Sequence, residues 1–125
     1  MPRYTCTTSQ TLPAETKAAL AAAITSTNSE IIGSPTRYVH VMIHELATEN
    51  FYTDSQPSDF LIVEASIRAG RSDAMKTQLA REISRTSSLS TGIPESKLLV
   101  SIKETSARFV SEGGAIMPEP GQETD

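Results

Sequence analysis

Apolar positions divide this chain into stretches that read as strands and stretches that read as helices. Arg3-Tyr4-Thr5-Cys6-Thr7-Thr8 is strand-like, and Leu12 to Ile32 then carries Ala18, Ala19, Leu20, Ala21, Ala22, Ala23 and Ile24. Alanine and leucine are strong helix formers, and Pro13 falls near the start, where a missing N–H is harmless. Gly33, Ser34 and Pro35 stop the helix, and Tyr38 to Glu45 reads as a strand with Val39, Val41 and Ile43 on one face. From Leu46 to Ser58, polar residues and Pro57 around Phe51 and Tyr52 predict a loop or short hairpin. Phe60-Leu61-Ile62-Val63 then opens a strand running to about Ile67. Ser72-Asp73 caps a second helix carrying Met75, Leu79, Ile83 and, as a further candidate, Leu89. Gly92 and Pro94 end it, and Lys97 to Lys103 supplies a fourth strand through Leu98, Leu99, Val100 and Ile102.

The pattern is two β-α-β units in succession, an α+β protomer with a four-stranded sheet and both helices on one face. Each parallel pair needs a crossover, which is right-handed by the usual rule. The other sheet face needs a partner, and small domains of this kind often satisfy it by oligomerising. Arg108 to Pro118, with Phe109, Val110, Ile116 and Met117, is a candidate for packing on a neighbouring subunit. Residues 1–118 are read as one domain, and the Pro-, Gly- and acid-containing tail 119–125 as disordered.

Length and charge narrow the functions. A chain of 125 residues fits one small domain. Its net charge of −4 gives no broad electrostatic footprint for nucleic acid. No apolar run approaches the roughly 20 residues that cross a bilayer, and the first residues lack the layout of a secretory signal. A cytoplasmic protein with no nucleic-acid or membrane partner is therefore expected. The single Cys6 excludes an intrachain disulfide and reads as a small buried hydrophobe.

Four groups of residues carry candidate chemistry. Pro2 becomes a free secondary amine if the initiator methionine is trimmed. An α-amino group titrates near 7.7–8.0, and desolvation or a nearby cation lowers that value, leaving an amine able to act as base or acid near neutrality. Proline at position two is also simply common. In Ile67-Arg68-Ala69-Gly70-Arg71-Ser72, two guanidiniums flank a glycine where the third strand meets its helix. Arginine forks grip carboxylates and a helix N-terminus adds N–H donors, so a small carboxylic acid fits there; solvated arginines, or pairs with Glu64 or Glu82, are the alternative. Glu112 precedes the Gly113-Gly114 bend, as a proton shuttle or as an exposed turn residue. His40 and His44 share a strand face with Met42 between them, and two ordinary strand histidines with no metal are the favoured reading.

With Pro2, the helix containing Ala23-Ile24-Thr25, the Arg-Ala-Gly-Arg-Ser corner leading into Lys76-Thr77-Gln78-Leu79-Ala80, and the closing Met117-Pro118-Glu119-Pro120-Gly121, the chain resembles the tautomerase superfamily. Its closest likeness is to the cis-3-chloroacrylic acid dehalogenase group. The resemblance implies a β-α-β-β-α-β protomer, a homotrimer, and a processed N-terminal proline as catalyst. It places Pro2, Arg68, Arg71 and Glu112 in four of the group's roles, the arginines holding a substrate carboxylate and the glutamate handling water. Asn28 stands where the group has a histidine, and Ile102 where it has a tyrosine.

These departures weigh on the reaction expected. Ile102 cannot orient water, whereas keto–enol tautomerisation needs only a base and a cation to steady the enolate. The resemblance therefore implies a cofactor-independent tautomerase of a small 2-oxo or enol carboxylic acid, with Pro2 as base and Asn28 as a neutral donor beside Arg68 and Arg71. The alternative is a hydratase, dehalogenase or decarboxylase of a three-carbon acid, with Pro2 as acid and Glu112 as water activator. A third possibility is a catalytically silent trimeric binding protein.

Overall fold

The structure, a computed structural model, describes residues 1–122. In chain order its elements are β1 (Arg3–Thr8), α1 (Ala14–Ile32), β2 (His40–Glu45), β3 (Tyr52–Thr53), β4 (Gln56–Pro57), β5 (Leu61–Arg68), α2 (Asp73–Thr91), β6 (Leu98–Thr105), β7 (Ser111–Glu112) and β8 (Ala115–Ile116). The main sheet has the order β2-β1-β5-β6. β1 pairs in parallel with β2 and β5 with β6, while β1 and β5 run antiparallel at the centre. Two β-α-β units thus meet edge to edge, as the sequence pattern predicts.

Each helix ends where its sequence stops it. The Ser72 hydroxyl accepts from the Met75 N–H at 3.2 Å, capping α2. Gly33 and Gly92 end the two helices at φ 85° and 80°, left-handed values that cost glycine little. The core lies between helices and sheet, with Tyr4, Cys6, Leu20, Ile24, Leu61, Val63, Leu79 and Ile83 fully buried. Burying one such aliphatic side chain contributes about 1.5–3 kcal/mol.

The buried stripe of α2 runs Leu79, Ile83, Ser87, and Leu89 is 72% exposed. A residue two places past Ser87 lies about 200° round the helix, so Leu89 belongs to the outer face and the expectation that it joins the core is corrected. The halves correspond residue by residue at a spacing of 59: Lys17 and Lys76, Leu20 and Leu79, Ile24 and Ile83, Asn28 and Ser87, Gly33 and Gly92. Even the ion pairs repeat, Lys17 with Glu45 at 2.7 Å and Lys76 with Glu104 at 2.9 Å.

After β2 and after β6 the chain makes a short 3₁₀ turn and a two-residue hairpin, β3-β4 and β7-β8. The first matches the loop or short hairpin expected there. The second belongs to the Arg108–Pro118 segment, which closes on its own chain: Met117 N–H donates to the Val110 carbonyl at 2.8 Å. Phe109 and Ile116 remain exposed. Glu119–Gln122 forms a turn, with Pro120 against Gly70; the rest of the expected disordered tail, 123–125, lies outside the described residues. The sheet face away from the helices presents Arg3, His40, Met42, His44, Glu64, Leu99, Ser101 and Lys103, all exposed. Among the described residues no helix is long and apolar enough to cross a membrane.

Candidate active site at the amino terminus

Antiparallel pairing of the two units creates the site. Arg3 lies opposite Ser66, so the chain start emerges beside the C-terminal end of β5, where Arg68 stands. Pro2 is buried, and its carbonyl accepts from the His40 N–H at 2.9 Å. The terminal ammonium, carried here by Met1, donates to the Tyr38 carbonyl at 3.0 Å and lies 2.7 Å from Glu112 Oε1. Met1 is itself 7% exposed.

Glu112 reaches the amine because of the turn beneath it. Gly113 and Gly114 both have positive φ, 63° and 86°, the pattern of the tight hairpin turn that matches strand twist. This turn brings Ala115 opposite Glu112 and sets the carboxylate over the start of β1. Its second oxygen, Oε2, lies 2.7 Å from His40 Nε2. Partial burial pushes the Glu112 pKa up, but hydrogen bonds from His40 and the terminal ammonium prevail and hold it below the usual carboxylate range.

Arg68 is 3% exposed, and its Nη1 donates to the Pro118 carbonyl. A buried guanidinium requires partners, and this bond fixes the segment after β8 as a wall. Between them lies a cavity of about 210 Å³. Arg68, Glu112 and Ser34 supply its polar lining, while Tyr38, Met117 and Pro118 are among its less polar walls. The Ser34 hydroxyl is buried and has no hydrogen-bond partner among the described residues. Among the described residues no cluster of three His, Cys, Asp or Glu side chains is placed to hold a metal ion.

Of the residues singled out in the sequence, Arg68 and Glu112 line the cavity together with Met1, and Pro2 follows Met1 in the chain without being part of the lining. Arg71 stands at the same corner, but its Nη1 turns back to the Arg68 carbonyl at 3.1 Å, and it does not line the cavity. Asn28 is fully buried in α1, and its Oδ1 accepts from the Tyr4 hydroxyl at 2.7 Å. It too lies outside the cavity lining. Burial drives the Tyr4 pKa up against the opposing charge of Arg71, so Asn28 is linked to the arginine corner through Tyr4. Ile102 packs against the core.

Sequence reasoning gave no role to Ser34 or Tyr38, which line the cavity, and weighed His40 only as a metal ligand. His40, expected as an ordinary strand histidine rather than a metal ligand, is bonded to Glu112. One signal was available: a histidine opening a strand parallel to β1 must lie level with Arg3, beside the amino terminus.

Known proteins share this fold. A family model described as "Putative oxalocrotonate tautomerase enzyme" matches residues 1–125. The structure of native Ps01740 is 31% identical over 88% of this chain and 99% of its own, with a TM-score of 0.84. That of N1, described as a member of the cis-3-chloroacrylic acid dehalogenase family, is 24% identical over 96% of this chain and 86% of its own, with a TM-score of 0.92. A fused 4-OT described as a wild-type asymmetric trimer is 25% identical over 91% of this chain and 94% of its own, at a TM-score of 0.87. No curated protein matches the chain. With its whole length matched, its fold shared, and a buried arginine and a glutamate gathered at its amino terminus, the chain belongs to the tautomerase superfamily.

Proposed function

We propose that this protein is a cofactor-independent tautomerase of a small 2-oxo or enol carboxylic acid, with Pro2, freed by removal of Met1, as the general base. The carrying observation is the meeting of terminal amine, buried Arg68 and ionised Glu112 in one small cavity. Arg68 binds the substrate carboxylate or 2-oxo oxygen, and Arg71 adds positive charge at the same corner. The neutral proline nitrogen removes a proton α to the carbonyl, negative charge moves to the enolate oxygen beside a cation, and the proton returns from proline to the new carbon. Ser34 and Tyr38 border this path, while Asn28 supports it at a remove by holding Tyr4. A homotrimer is part of the proposal: the bare sheet face supports it, as does the trimeric fused 4-OT relative.

A second reading has its own support. Glu112 lies 2.7 Å from the Met1 amine, and a carboxylate beside the chain start suits it as water activator, with Pro2 as general acid, in hydration, dehalogenation or decarboxylation. Phenylenolpyruvate ketonisation and 3-haloacrylate turnover by the purified protein separate the two. Ketonisation without halide release is expected; halide release without tautomerase activity would overturn the first reading. Absence of both, with Met1 retained by mass spectrometry, favours a catalytically silent protein.

A further inference from the structure

We infer that His40 is a positioning residue that acts on the terminal amine through Glu112, an inference resting on the reading of the site given above. The Glu112 carboxylate bridges two groups, with Oε2 at 2.7 Å from His40 Nε2 and Oε1 at 2.7 Å from the ammonium at the chain start, carried here by Met1 and passed to Pro2 when Met1 is removed. An ionised carboxylate only accepts, so Nε2 must carry a hydrogen and donate it.

The restraint is needed because of where Glu112 sits. It occupies a two-residue strand, and its side chain has three rotatable bonds. Without His40, its aim would depend on the amine, the group that must gain and lose a proton. His40 is independently fixed, since its N–H is bonded to the Pro2 carbonyl and its Cα is paired with Arg3. The charged groups facing it are the Arg3 guanidinium, the Glu112 carboxylate and the terminal ammonium, which together border the depression around its ring.

The internal repeat shows that this pairing is not a by-product of the fold. At the spacing of 59 the counterpart of His40 is Leu99, and the counterpart of Glu112 is Thr53. Both ends of the sheet have the same strands and hairpins, yet the imidazole–carboxylate pair occurs only at the end that holds the amino terminus.

A mutant cycle read by carbamylation of the terminal amine with cyanate tests this without requiring turnover. The neutral amine attacks the carbon of isocyanic acid, forming an N–C bond as the amine proton passes to the isocyanate nitrogen, so loosening Glu112 from the amine speeds labelling, which mass spectrometry quantifies. His40→Ala is expected to raise the rate about threefold, as for release of an exposed ion pair. Glu112→Gln is expected to raise it further, and the double variant to match Glu112→Gln alone. His40→Gln, which keeps an N–H donor, should stay near wild type. The His40 side chain is 57% exposed and that of Glu112 25%, and circular dichroism of each variant checks that it folds as wild type does. An unchanged rate in His40→Ala, or multiplying effects in the double variant, would overturn the inference. If the cycle couples but Pro2→Ala keeps full activity, the proline mechanism fails and the positioning role stands.

Discussion

Replacing Arg68 by lysine keeps the positive charge but removes the planar fork from a position only 3% exposed. Lysine carries three donors on a flexible stem and does not reproduce a paired grip on a carboxylate. Loss of one hydrogen bond between charged partners costs about 1.5–3 kcal/mol in such a setting. At about 1.4 kcal/mol per factor of ten, that raises KM roughly 10- to 150-fold. The bond to the Pro118 carbonyl is disturbed as well, for about 1 kcal/mol of stability. Arg71→Lys provides the contrast, because Arg71 lies outside the cavity lining and turns its Nη1 to the Arg68 backbone. A rise in KM below about threefold is expected there, the scale of an exposed charge interaction. Steady-state kinetics with phenylenolpyruvate measure both variants, and denaturant unfolding at fixed protein concentration records the stability change. An Arg68→Lys variant with wild-type KM, or an Arg71→Lys variant that loses as much, would refute the assignment of carboxylate binding to Arg68.

Other outcomes follow from the same geometry. Gly114 has φ 86°, so Gly114→Val strains the turn under Glu112; kcat should fall while circular dichroism of the helices is unchanged. Ile83→Ala empties part of the core and should cost about 2–5 kcal/mol, whereas Leu89→Ala should stay within about 0.5 kcal/mol, both read by denaturant titration. Because the Glu112 pKa is depressed in the folded state, its stabilising contribution is fully present above the unfolded carboxylate value, near 4.3, and is lost as pH falls through the lower folded value. Acid unfolding of Glu112→Gln should lack that component.

Much of the fold was legible because burial imposes periods on the sequence. Leu20 with Ile24 and Leu79 with Ile83 mark helix faces, and Val39, Val41 and Ile43 mark a strand face. Glycine and proline at 33, 35, 92 and 94 punctuate both helices. Leu89 misled because it is apolar but out of phase, while small, polar Ser87 holds the buried position of the stripe. The candidate site was legible where a residue sits in a local motif, as Arg68 does in the Arg-Ala-Gly-Arg corner and Glu112 before the Gly113-Gly114 bend, and both line the cavity. His40 and Glu112 are 72 residues apart, and only the parallel pairing of β1 with β2 and the turn at Gly113-Gly114 bring them together. Asn28 shows the converse limit, since its polar side chain is placed by a hydrogen bond to Tyr4 inside the core.

The central claim is that the amine of Pro2 moves the proton. It is tested most directly by comparing phenylenolpyruvate ketonisation by wild type and Pro2→Ala, with the terminal residue of each established by mass spectrometry. Wild type should begin at Pro2, and kcat/KM should fall about 100-fold or more in the variant, the scale of general acid–base catalysis. Full activity in Pro2→Ala, or in wild-type protein that retains Met1, would contradict it.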